Sequence, residues 1–95
     1  MIVGIIRLEL LIPENSSLKG KRKIVKSIID RVKNRFNASV AEIGSNDKWQ
    51  KIEIGISTVG NEGAYVDTSL QNILNFIEGL YVADIINIKT EIIHF

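Results

Sequence analysis

The stretch Lys51 to Ser57, KIEIGIS, places an isoleucine at every second position. In an extended chain successive side chains point to opposite faces, so Ile52, Ile54 and Ile56 share one face while Lys51, Glu53, Gly55 and Ser57 share the other. A strand of this kind has one face to bury and one to leave in water. The same reading applies to Ile2–Ile12, where Ile2, Ile6, Leu8, Leu10 and Ile12 oppose Val3, Ile5, Arg7, Glu9 and Leu11. Pro13 removes a backbone donor and stops that strand. Near the far end, Ile85–Ile93 alternates Ile86, Ile88 and Ile92 with Asn87, Lys89 and Glu91. NASVAEIG, residues 37–44, supplies a further strand, and the polar SND turn joins it to the strand containing KIEIGIS as a hairpin.

Two segments follow the other period. From Leu18, apolar residues recur at Leu18, Val25, Ile29, Val32 and Phe36, with Ile28 beside them, as one face of a helix preceded by the N-cap candidates Asn15, Ser16 and Ser17. Gly20 weakens the first turn, and Lys26 and Asp30 stand four apart on the surface. After the Gly60–Gly63 break, Val66, Leu70, Ile73, Leu74, Ile77, Leu80 and Tyr81 mark a second amphipathic helix. The order is β-α-β-β-α-β. The economical solution is an α+β, ferredoxin-like domain spanning residues 1–95: a four-stranded antiparallel sheet with two helices on one face. Its other face then carries Arg7, Glu9, Lys51, Glu53, Lys89 and Glu91.

Composition narrows the functional classes. Ninety-five residues build one modest core without room for a large enclosed active site. The chain has no cysteine, which excludes disulfides, thiolate metal sites and a cysteine nucleophile and suits a cytoplasmic location. MIVGIIRLELLIP is interrupted by Arg7 and Glu9 and is too short to span a membrane, so neither a signal peptide nor a membrane partner is expected. The net charge of +1 conceals a polarised distribution. Residues 18–35 hold eight bases against Asp30 alone, whereas the rest of the chain holds four bases and ten acids.

One ordered set of short motifs resembles a known family. Pro13, Ser17-Leu18-Lys19, Lys21-Arg22, Phe36-Asn37, Ser39-Val40-Ala41-Glu42 and Asp47-Lys48-Trp49-Gln50 follow one another as they do in the DUF503, or YlxP-like, family of small bacterial proteins. The resemblance extends over nearly the whole chain. It implies a ferredoxin-like domain, frequently encoded beside translation and ribosome-maturation proteins, and through that association RNA-related work. It supplies no reaction and no catalytic set.

The residues themselves offer several candidate sites. Lys19, Arg22, Lys23, Lys26 and Lys33 fan along one flank of the first helix, a pattern suited to a phosphate backbone, with RNA or a ribosomal component as the partner. The same pattern also serves an unliganded helix whose lysines keep it soluble. Ser16, Ser17 and Lys19 at the helix start form a candidate anion site, against the simpler reading of N-capping. Trp49 is a candidate edge contact, set against partial burial as a structural residue.

The sheet's outer face offers charge where a base-stacking surface would offer rings, and no specificity for a DNA sequence follows from it. Glu42 and Asp47 lack a spacing that identifies an acid and base pair, the sole histidine, His94, has no companion ligands, and no phosphate-loop or dinucleotide motif is present. No cofactor and no metal are expected, and no reaction can be named. The competing reading is a homodimer paired through open sheet edges and the isoleucine-rich last strand, or an adaptor whose charged sheet face docks a protein partner, with a small enzyme of unknown reaction as a further alternative.

Overall fold

The computed structural model describes residues 1–95. Its elements are β1 (Ile2–Leu11), α1 (Leu18–Arg35), β2 (Ser39–Gly44), β3 (Lys51–Gly60), α2 (Gly63–Glu78) and β4 (Asp84–His94). The strands form one sheet in the order β2-β3-β1-β4, antiparallel throughout. Each helix therefore carries the chain past one strand to the next but one, giving two interleaved β-α-β units in the ferredoxin-like arrangement.

The alternating isoleucines dictate which side the helices cover. Leu8, Leu10, Ile52 and Ile54 are almost wholly excluded from solvent, in contact with Val25, Ile28 and Val32 of α1 and Leu70, Ile73 and Ile77 of α2 within one core cluster. Gly4 permits the closest approach. A Cβ there would lie 2.6 Å from Val66 Cγ1 and 3.0 Å from Leu70 Cδ1, so α2 rests on bare backbone of β1. On the outer face Glu9 and Glu53 stand directly opposite each other, and diagonal bases offset the repulsion. Arg7 Nη2 donates to Glu53 Oε1 at 3.2 Å, and Lys51 Nζ lies 3.7 Å from Glu9 Oε1.

Three sequence expectations shift. The buried line of α1 is Lys21, Val25, Ile28 and Val32, while Leu18, Ile29 and Phe36 flank it half-buried. In β4 the register slips between Glu9 and Leu10, leaving Ile86 as the extra residue of a bulge. Ile85 then opposes Leu10 and packs on the core, and Ile86 is exposed. Tyr81 does not lie on the buried border of the second helix. That helix ends at Glu78 with Gly79 as its cap, and Tyr81, in a left-handed conformation (φ 53°), is 89% exposed.

Candidate nucleic-acid interface

The start of α1 is built before its basic surface. Ser17 Oγ accepts the Gly20 N–H at 3.0 Å, the N-cap arrangement that satisfies an otherwise unpartnered helix donor. Asn15 Nδ2 donates to the carbonyls of Ser17 (2.7 Å) and Trp49 (2.5 Å), and Gln50 Nε2 donates to Pro13 O at 3.0 Å. The helix start is thereby clamped to the segment entering β3. Ser16 is exposed and makes no side-chain hydrogen bond, so at the proposed anion position Ser17 serves the cap.

All five flank residues, Lys19, Arg22, Lys23, Lys26 and Lys33, are exposed. At 100° per residue they occupy an arc of about 100°, centred roughly 140° from the line Lys21–Val25–Ile28–Val32. The arc therefore faces away from the sheet. From Lys19 to Lys33 it runs about 21 Å along the axis. Asp30 is the acid within it and binds Lys26 at 2.7 Å, a hydrogen bond and charge attraction that together raise the Lys26 pKa. Lys19, Arg22, Lys23 and Lys33 have no carboxylate partner. Beside Arg22 and Lys26 runs a groove of about 410 Å³, with Leu18, Val25 and Ile29 among its lining residues and Glu42 on the strand side.

Of the other bases of α1, Arg35 serves packing. The Arg35 guanidinium lies 5.1 Å from the Phe76 ring centre and 6.0 Å from that of Phe36, and the two rings meet edge to face at 5.5 Å.

Lys21 is the residue that sequence reading missed. It is 2% exposed, donates from Nζ to the Ser45 carbonyl and lies 3.2 Å from Glu42 Oε2. That separation is an ion-pair distance without hydrogen-bond alignment, so buried Glu42 Oε2 has charge compensation but no donor. Ser45 joins the two faces of the sheet. Its backbone, in a left-handed turn (φ 55°), meets Lys21, and its hydroxyl donates to Glu53 Oε2 at 2.7 Å. The Ser45 hydroxyl first, and Arg7 second, hold the Glu53 carboxyl below its ordinary pKa against the opposing effect of burial. The signal for Lys21 was present: it lies four residues before Val25 and seven before Ile28, which puts a base on the apolar line.

The other candidates do not converge on a catalytic arrangement. Glu42 is engaged by Lys21 and accepts from Asn46 Nδ2 at 3.3 Å, while Asp47 is exposed in the hairpin turn. Trp49 is 54% exposed just before β3, and the clamp uses its backbone carbonyl. His94 is exposed at the end of β4. No group of His, Cys, Asp or Glu is arranged to hold a metal ion, and no helix is long and apolar enough to cross a membrane.

Comparison with known proteins adds a family. The chain is 39% identical over 77 residues to the uncharacterized protein YlxP of Bacillus subtilis (strain 168), an alignment covering 81% of this chain and 84% of that protein. Among solved structures, the de novo designed protein Foldit4 matches with a TM-score of 0.53 at 15% identity, over 99% of this chain and 97% of the design, a likeness of fold alone. The family model described as "Protein of unknown function (DUF503)" matches residues 3–90, and the chain accordingly belongs to the DUF503 family.

Proposed function

We propose that the protein is a non-catalytic RNA-binding protein, acting on RNA or a ribosomal component, that holds the phosphate backbone along the outward arc of α1. The observation that carries the reading is the orientation of Lys19, Arg22, Lys23 and Lys33: exposed, without carboxylate partners, and turned away from the core on one rigid helix. Phosphate binding by such an arc releases counterions, so affinity comes from charge and falls steeply with salt. Arg22 adds a planar fork that matches phosphate oxygens.

The outer sheet face is a poor alternative platform. By the register, Val3, Ile5, Arg7, Glu9 and Leu11 of β1 lie there beside Lys51, Glu53, Gly55, Ser57 and Val59 of β3. None of these is aromatic, and stacking of unpaired bases needs rings.

The test is a salt series with structured and single-stranded RNA, read by fluorescence anisotropy. Four free cations give an expected slope of log K against log salt of about −3 to −4. Lys19→Glu, Lys23→Glu, Lys26→Glu and Lys33→Glu combined, with native circular dichroism, should abolish binding. Equal binding by this variant, or none by the parent at low salt, refutes the reading.

A further inference from the structure

We propose that β4 is the docking edge for a second copy of this chain, paired antiparallel about a twofold axis beside Thr90 and extending the sheet to eight strands. The proposal is independent of RNA binding.

The two sheet edges differ in what they offer. β2 has six residues and a register irregularity between Glu42 and Gly44, both features that blunt an edge. β4 has eleven residues, contains no proline and is paired only along its β1 side. Its outer row of backbone donors and acceptors is open to another strand. Exposed isoleucines accompany that row: Ile86 at 49%, Ile88 at 45% and Ile93 at 38%. Ile88 stands opposite Leu8 on the helix-covered side, yet Leu8 is fully buried, so the core stops short of this edge.

Charge selects both the occupant and the register. Lys89 stands directly opposite Arg7 on the outer face, a like-charge pair, and neither Lys89 nor Glu91 has an ion-pair partner within the chain. Residues facing each other across an antiparallel pair point to the same side, so a twofold axis perpendicular to the sheet must set one residue against its own copy. With Lys89 self-facing, two lysines would collide. With Thr90 self-facing, Lys89 meets the second copy's Glu91 twice, and Ile88 meets its Ile92 twice on the helix-covered side. Asn87–Ile93 lies clear of the Ile86 bulge, so this register runs uninterrupted through seven residues.

A perpendicular axis keeps all four helices on one side of the joined sheet. The two α1 helices then sit over its far ends, about seven strand spacings or roughly 34 Å apart along an untwisted sheet. One RNA could engage both basic arcs in such a pair.

Sedimentation equilibrium from micromolar to submillimolar protein, without nucleic acid, is expected to show a monomer–dimer equilibrium. Lys89→Glu and Glu91→Lys should each raise the dissociation constant about tenfold by turning two attractions into two repulsions. The two changes in one chain should restore it. Because the chain lacks cysteine, Thr90→Cys provides a second readout: its copies should oxidise to a covalent dimer faster than those of Lys89→Cys or Ile88→Cys. This readout stands even if a charge variant folds poorly. A monomer at every concentration, a dimer indifferent to both charge reversals, or preferential cross-linking through position 88 or 89 would overturn the proposal.

Discussion

Replacing Lys21 with methionine tests whether its ammonium anchors α1 to the β2–β3 hairpin. Lys21→Met keeps an unbranched side chain, one heavy atom shorter, and removes the charge together with the donor to the Ser45 carbonyl. What remains is Glu42, whose Oε2 is buried and whose cation lay 3.2 Å away. Removing one member of a buried pair costs about 3–5 kcal/mol, mostly because the survivor is left uncompensated. Glu42 keeps 22% of its side-chain surface in contact with water, which screens the surviving charge and brings the expected loss below that range, to about 2–3 kcal/mol.

For a chain of this size that loss corresponds to a fall in Tm of roughly 10–20 °C. Urea unfolding followed by circular dichroism measures it through the midpoint at constant slope. The double variant Lys21→Met and Glu42→Met replaces both charges with apolar groups and should recover most of the stability, since hydrophobic replacement of a whole buried pair is close to neutral. A loss below about 1 kcal/mol for Lys21→Met, or a double variant as unstable as the single one, would refute the anchoring role.

The other tests address packing and titration. Gly4→Ala places a methyl 2.6 Å from Val66 Cγ1 beneath α2 and should destabilise the fold by about 1–3 kcal/mol, part of it returned by adding Val66→Ala; an unchanged urea midpoint would contradict the close approach. Glu53 has a depressed folded pKa, so its contribution is complete above the unfolded-state value and is lost as pH falls through the folded one. Ser45→Ala removes the largest cause and should raise the Glu53 pKa, moving the acid loss of stability to higher pH; carboxyl NMR titration at an unchanged midpoint would exclude the Ser45 link.

Much of the fold was legible because strands and helices leave different periods in a sequence. Ile52, Ile54 and Ile56 occupy the covered face that their spacing assigned, as do Ile6, Leu8 and Leu10. The departures occurred where one residue changed the count. The bulge at Ile86 exchanged the parity of the first residues of β4, putting Ile85 in place of Ile86 on the covered side, and Gly79 ended α2 before Leu80 and Tyr81 could join its face. The basic arc could be named from spacing alone, but its rotation could not, because a stripe read as Leu18–Val25–Ile29 differs by a fraction of a turn from the buried line through Lys21 and Ile28.

By itself the sequence determined the element order, the covered face of β1 and β3, and the concentration of positive charge on α1. These are local properties of period, caps and composition, and they need no partner to be defined. Tertiary structure alone decided that Lys21 meets Glu42 and the Ser45 carbonyl, that Ser45 links the two faces of the sheet, and that Lys89 and Glu91 are left without partners. Each depends on what a distant segment places opposite the residue, and for a charged side chain that decides whether it is buried against an opposite charge or left in water.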